Sequence, residues 1–144
     1  MTRLRLFVYG TLQPQAGTRM GAWIAARCHA SAVASLPGQI HAIRGSNGWF
    51  PALVPAASAQ RVRGTLCELE LAPGELSLLD RYEGAEYRRA ALPVRLGNGA
   101  RVAAQVYLWR ISLPVHARPI AGGDYLAWLE ESRLSAFTTL RGGA

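Results

Sequence analysis

Residues 61–71 read Arg-Val-Arg-Gly-Thr-Leu-Cys-Glu-Leu-Glu-Leu. Apolar and polar side chains alternate along the stretch, the period-two pattern of a strand with one buried face. Gly64 interrupts it, and a glycine inside a strand marks a bulge, a bend at a barrel corner or close approach by another backbone. Each of these favours a curved sheet.

Upstream, residues 3–9 (RLRLFVY) alternate and then turn continuously apolar, as in a strand running from an exposed edge into a core. It ends at Gly10. Residues 10–17 carry Gly10, Pro14 and Gly17 and read as a loop, after which Thr18 caps a helix over 19–27 with Met20, Trp23, Ile24 and Arg27 along it. From Ala30 to Leu71 short apolar stretches broken by Pro37, Gly38, Gly45, Asn47, Gly48, Pro51 and Pro55 predict a set of antiparallel strands. Pro73 opens a second helix, PGELSLLDRYE, which stops at Gly84. Strands over 87–95 and 101–110 are joined by Gly97, Asn98 and Gly99, a hairpin signal. Asp124 caps a last helix with Leu126, Leu129, Arg133 and Phe137 on one stripe, before a Gly-ending tail.

The chain has 144 residues, half of them hydrophobic, enough to bury a core of its own, and no linker or repeat divides it; one domain over 1–144 is expected. No apolar run approaches the roughly 18 residues of a membrane helix, and the N-terminal apolar run is too short for a signal peptide, so a cytoplasmic protein with no membrane partner is expected. Cys28 and Cys67 lack CxxC spacing and sit among apolar residues, which points to buried free thiols rather than a disulfide or metal site. The net charge of +7 comes from 16 arginines and no lysine. They are scattered along the chain rather than interleaved with aromatics, so the charge implies attraction to small anions and no nucleic-acid function.

The second helix holds a carboxylate in an unusual place. On a wheel of about 100° per residue with Leu76 at zero, Leu78, Leu79 and Tyr82 are assigned to the apolar side, Asp80 to its edge, and Ser77 and Arg81 to the far side. Glu83 lies about 20° short of two whole turns from Leu76, so it projects along the apolar stripe. It also occupies the last turn, where the helix dipole disfavours negative charge by about 0.3–1 kcal/mol, whereas Glu75 in the first turn is favoured. Burial, with Asp80 and Glu86 nearby, should raise the Glu83 pKa, as a two-way acid/base requires. Tyr9, Gly10, Thr11 and Leu12 form a second feature: a glycine at the end of a core strand, followed by a hydroxyl residue, turns backbone N–H groups toward an anion. The plainer reading is a turn that needs glycine's freedom.

VYGTL at 8–12, VRGTLCEL at 62–69, LDRYEG followed by EYRR at 79–89, and WFPALV at 49–54 together resemble the gamma-glutamylcyclotransferase-like family, in particular its gamma-glutamylamine cyclotransferase (AIG2-like) branch. The resemblance spans roughly residues 4–110 and rests on several separated motifs agreeing in order and spacing. It implies an α+β fold, a small mixed β-barrel flanked by helices, with the site at one barrel mouth. It further implies that the backbone amides of Tyr9, Gly10, Thr11 and Leu12 bind the glutamyl group, that Glu83 is the catalytic carboxylate, and that Tyr87 with Arg88 or Arg89 fills the aromatic and basic positions that follow. The implied substrate is a small gamma-glutamyl compound, cyclised to 5-oxoproline with no metal or cofactor. The loop amides would hold either the developing oxyanion or the α-carboxylate. Many relatives continue the first motif as YGTLKRG; this chain reads YGTLQPQAG and lacks that basic residue.

Two rivals stand beside this expectation. A Ser or Cys nucleophile with histidine finds no GxSxG, and His29, His41 and His116 lie in ordinary contexts. A non-catalytic binding module of the same fold would keep the pocket without turnover. Of the four tryptophans, Trp49 beside WFPALV is the one expected near a pocket, the rest belonging to packing.

Overall fold

The structure, a computed structural model, describes residues 1–56 and 59–137. The Gly-ending tail lies outside the described residues. In chain order the elements are β1 (Thr2–Val8), a 3₁₀ turn (Pro14–Ala16), α1 (Arg19–Arg27), β2 (Cys28–Gly45), β3 (Gly48–Pro55), β4 (Arg61–Leu71), α2 (Glu75–Glu83), β5 (Tyr87–Leu96), β6 (Arg101–Trp109), β7 (Arg118–Pro119) and α3 (Tyr125–Ser132). No helix among them is long and apolar enough to cross a membrane.

Five strands close into a mixed barrel in the order β2-β4-β1-β6-β5, with β5 returning to β2 through Ala34↔Leu96 and Ser35↔Arg95. All neighbours are antiparallel except β1 and β6. The alternating stretch quoted above is β4, with β1 on one side (Val8↔Thr65) and β2 on the other (Ala34↔Gly64). Gly64 is there for close approach: a Cβ would stand 2.3 Å from the Val8 carbonyl oxygen and 2.9 Å from the Phe7 ring. No larger residue fits without moving β1.

The sequence predicts a break at Pro37 and Gly38, but β2 runs through them as one strand of 18 residues. Its first part pairs with β4 as far as Pro37, and from Gly38 onward it pairs with β3, with β7 on the other side of His41 and Ala42. The Pro-Gly pair is a corner at which the strand changes partner, not its end.

Leu6, Phe7, Val8, Leu36, Val62, Leu66, Val94 and Val106 are buried where the strands meet. Each such side chain contributes about 1.5–3 kcal/mol by leaving water. Helix α1 adds Met20 and Ile24 to this core and begins at Thr18, whose Oγ1 accepts from the Gly21 N–H at 2.9 Å. Asp124 caps α3 by accepting from the Ala127 N–H. The stripe predicted for α3 is shorter than expected: the helix ends at Ser132 with Arg133 left-handed and exposed. Phe137 is buried from beyond the helix, its N–H donating to the Trp49 carbonyl at 2.8 Å.

Cys67 is buried, but Cys28 is half-buried, its Sγ donating to the Ala30 carbonyl; both thiols are free. Burial, with Cys28 beside it, pushes the Cys67 thiol up, the opposite of what a thiolate nucleophile needs.

Candidate active site

Strand β1 delivers the chain into Tyr9, Gly10, Thr11 and Leu12, all four buried. The Tyr9 hydroxyl donates to the Tyr107 carbonyl at 2.5 Å, tying the end of β1 to β6. A turn then closes with the Gln13 N–H donating to the Gly10 carbonyl at 3.1 Å. The Thr18 hydroxyl donates to the Thr11 carbonyl at 2.5 Å while capping α1, so one side chain fixes the turn against the helix. Gln13, at the position where many of the resembling sequences are expected to carry a basic residue, is buried; its Oε1 accepts from Thr65 Oγ1 at 3.0 Å and Gln15 Nε2 at 3.2 Å. A neutral network occupies that position here.

Helix α2 begins at Glu75, not at Pro73, with Gly74 as its N-cap. It buries Leu79, Tyr82 and Glu83. Leu78 is 45% exposed, which corrects the wheel assignment: two positions from Leu76 is about 200° of rotation, the far side of the helix. Gly84 ends the helix at φ 93°, a conformation that favours glycine.

Glu83 is 3% exposed, and among the described residues neither of its carboxylate oxygens has a hydrogen-bond partner. A buried polar group left without a partner costs about 1–3 kcal/mol. Burial, and secondly the charge of Asp80, hold the Glu83 carboxyl well above the usual carboxylate range. Asp80, three residues earlier, is in the reverse condition. It accepts from Arg89 Nε at 2.9 Å, Arg89 Nη2 at 3.2 Å and the Tyr107 hydroxyl at 2.6 Å. Burial works to raise its pKa, but the bonds from Arg89 and Tyr107 prevail and it stays below the ordinary value. Arg89 also donates to Gln105 Oε1 at 2.6 Å, which fixes the guanidinium.

Tyr87 is buried and donates its hydroxyl to the Pro51 carbonyl at 2.7 Å. Burial raises the pKa of both Tyr9 and Tyr87, and Glu83 adds to the rise in each. Tyr9, Glu83 and Tyr87, far apart in sequence, are thus electrostatic neighbours in the fold, with Tyr107 a further one. Arg88 is exposed, so of the two arginines that follow Tyr87 it is Arg89 that enters the network. Tyr107 carries no motif, but the hairpin centred on Asn98 sets it opposite Arg89.

The tryptophan at this place is Trp109, not Trp49. Its ring meets Tyr87 edge-on at 5.2 Å, and its buried Nε1 has no hydrogen-bond partner among the described residues. Trp49 packs against Trp128 at 5.5 Å. Surface clefts of about 440 and 400 Å³ lie along the first half of β1 and the start of β2, lined by Arg27, Cys28 and Glu75 and by Arg3, Arg5 and His29 respectively. Neither is lined by Glu83, so the site is marked by the chemistry of its groups rather than by cleft size. Among the described residues no cluster of three or more His, Cys, Asp or Glu side chains is placed to hold a metal.

The sequence matches the family described as gamma-glutamyl cyclotransferase, AIG2-like, over residues 6–127. None of the curated proteins matches the chain. Among solved structures the fold is similar to that of YkqA from Bacillus subtilis, with 20% identity and a TM-score of 0.70 over 92% of this chain and 43% of that one. The chain therefore spans less than half the length of YkqA. It is similar also to a structure titled gamma-glutamyl cyclotransferase (17% identity, TM-score 0.60, 82% of this chain and 72% of that one). An AIG2-like protein from Mus musculus is similar at 21% identity and TM-score 0.59, over 79% of this chain and 82% of that one. At these identities the structural likeness establishes the barrel fold.

Proposed function

The chain belongs to the AIG2-like gamma-glutamyl cyclotransferase family, and we propose that it converts a gamma-glutamyl amine or gamma-glutamyl amino acid to 5-oxoproline and the free amine or amino acid. The observation that carries this reading is Glu83: a buried carboxyl without a hydrogen-bond partner among the described residues, raised in pKa, and an electrostatic neighbour of Tyr9 at the end of β1. Stability alone does not choose such a group, whereas acid/base chemistry does.

The substrate's α-ammonium supplies the positive partner that Glu83 lacks, and its approach draws the carboxyl toward the ionised form. Glu83 then takes a proton from the ammonium. The freed amine attacks the γ-carbonyl carbon, forming the ring C–N bond and an oxyanion. When the oxyanion collapses, the bond to the departing nitrogen breaks and Glu83 returns its proton to that nitrogen; the ring nitrogen, which still carries two protons, then passes one of them through Glu83 to the released amine, which leaves as an ammonium. Both protons lost by the α-ammonium end on the departing nitrogen, so Glu83 ends as the carboxylate that accepted the first of them, and no cofactor, metal or nucleic acid takes part. The amides of Gly10, Thr11 and Leu12 hold the oxyanion or the α-carboxylate, Tyr9 and Tyr87 shape the wall around Glu83, and the turn keeps the substrate folded for ring closure. The same reading places the enzyme in the cytoplasm.

A second reading, a non-catalytic binding module of the same fold, is favoured by one observation: Glu83 is 3% exposed and lines neither large cleft. Incubating the purified protein with a panel of gamma-glutamyl amino acids and amines separates the two. Release of 5-oxoproline from any member supports the cyclotransferase. Saturable binding of a panel member without release at any pH would establish the binding module instead.

A further inference from the structure

Arginines scattered along the sequence converge in one place on the barrel. Arg61 from β4, Arg95 from β5 and Arg101 from β6 line a single cleft of about 110 Å³, together with Pro37, Pro93 and Val94. Arg95 and Arg101 are direct cross-strand partners on either side of the Gly97–Gly99 turn, and both are exposed. Like charges directly opposed across an antiparallel pair are destabilising. Arg61 reaches the same place because Ser35 holds it there: its Nε donates to Ser35 Oγ at 2.9 Å and its Nη2 to the Ser35 carbonyl at 3.1 Å.

No carboxylate lines the cleft, and among the described residues none of the three arginines has an acidic partner within 4.0 Å. Burial, and then the charges of Arg95 and Arg101, lower the Arg61 pKa, the expected effect of cations crowding one another. Among the described residues four arginines elsewhere have acidic partners: Arg27 meets Glu75, Arg89 meets Asp80, Arg5 meets Glu68 and Arg63 meets Asp124. Here three guanidinium groups share one cleft without a counter-charge.

We propose that Arg61, Arg95 and Arg101 form a binding site for a small anion bearing a diphosphate group. Guanidinium groups pair with phosphate oxygens through parallel N–H bonds, and three of them match the charge of a diphosphate better than that of a single carboxylate. Two walls of the cleft are prolines, and Arg61 is held by Ser35, so part of the site is ordered before anything binds. The site is separate from Glu83. Tyr87 and Arg95 stand at opposite ends of β5, on the order of 27 Å apart at about 3.4 Å per residue. The diphosphate is supplied either free, as pyrophosphate, or as the end of a nucleoside diphosphate.

Calorimetric titration of the full chain with sodium pyrophosphate and, separately, with ADP tests this, at fixed ionic strength so that general screening is equal throughout. Binding by pyrophosphate alone identifies a free-diphosphate site, and tighter binding by ADP identifies a nucleotide site. Either affinity should fall at least about tenfold in the Arg95→Gln/Arg101→Gln variant, whose changes are at exposed positions. An Arg3→Gln/Arg19→Gln variant, which removes the same net charge at other exposed positions, should bind as the wild type does. Absence of binding by both anions, or an equal loss in both variants, would overturn the proposal.

Discussion

Glu75 and Glu83 open and close the same nine-residue helix, and their surroundings are opposite in every respect that sets a carboxyl's charge. Glu75 accepts from Arg27 Nε at 2.8 Å, Arg27 Nη2 at 2.6 Å and the Ala72 N–H at 2.8 Å. The hydrogen bond from Arg27, then that from Ala72, lowers its pKa below the ordinary 4.5. It stands at the end of the helix where the dipole favours a negative charge. Glu83 stands at the end where the dipole opposes one, buried and with no hydrogen-bond partner among the described residues. Folding stability accounts for the first glutamate and works against the second. A side chain kept where it weakens the fold calls for a functional explanation, and proton transfer supplies one.

Exchange of each glutamate for glutamine gives the sharpest test of this difference. In Glu83→Gln, kcat/KM for 5-oxoproline release should fall by about 10²–10⁴-fold, the usual contribution of a general acid/base, while Glu75→Gln should retain near wild-type activity. Equal effects of the two would remove any special role for Glu83. A smaller effect concerns pH. Glu83 must be ionised to accept the ammonium proton, so kcat/KM of the wild type should rise with pH along a limb that lies above the ordinary 4.5. Asp80→Asn removes the neighbouring charge that adds to the effect of burial, and should move that limb to lower pH; an unmoved limb would mean that Asp80 does not act on it.

Stability should respond with opposite signs at the two positions. The raised Glu83 pKa favours the folded state while the group is protonated, and that advantage is lost as pH rises above 4.5 and through the folded value. Glu83→Gln should therefore show a denaturation midpoint that varies less with pH above 4.5 than that of the wild type. The lowered Glu75 pKa contributes stability above 4.5 that is lost as pH falls through its folded value. Glu75→Gln should cost least of all: a small loss at neutral pH, diminished by salt and absent in acid, read by the same denaturation series.

The parts of the fold legible from sequence are those fixed within a few residues. The Thr18 and Asp124 caps, the Asn98 hairpin and the stop at Gly84 each follow from local backbone chemistry. The burial of Glu83 is local as well, since seven helical positions set its direction relative to Leu76. What the sequence did not reveal depends on distant partners. The barrel closes through Ala34↔Leu96 and Ser35↔Arg95, two pairs separated by some sixty residues of chain. β2 continues through Pro37 and Gly38 because β3 takes up its second half, and Trp109 rather than Trp49 meets Tyr87 because Trp109 is its cross-strand partner. The bonds of Asp80 to Arg89 and Tyr107 span helix, hairpin and barrel; Asp80 and Arg89 lie in the quoted motif, but nothing in it pairs them, and Tyr107 lies outside every motif.

The most direct test follows the ionisation of the seven glutamates by carbon-13 NMR of the side-chain carboxyls in glutamate-labelled protein. The Glu83 signal is identified by its absence in Glu83→Gln, and the Glu75 signal likewise. The expected result is a Glu83 midpoint well above 4.5 and a Glu75 midpoint below it. A Glu83 carboxyl that titrates at or below 4.5 would contradict a buried acid/base whose pKa its surroundings raise.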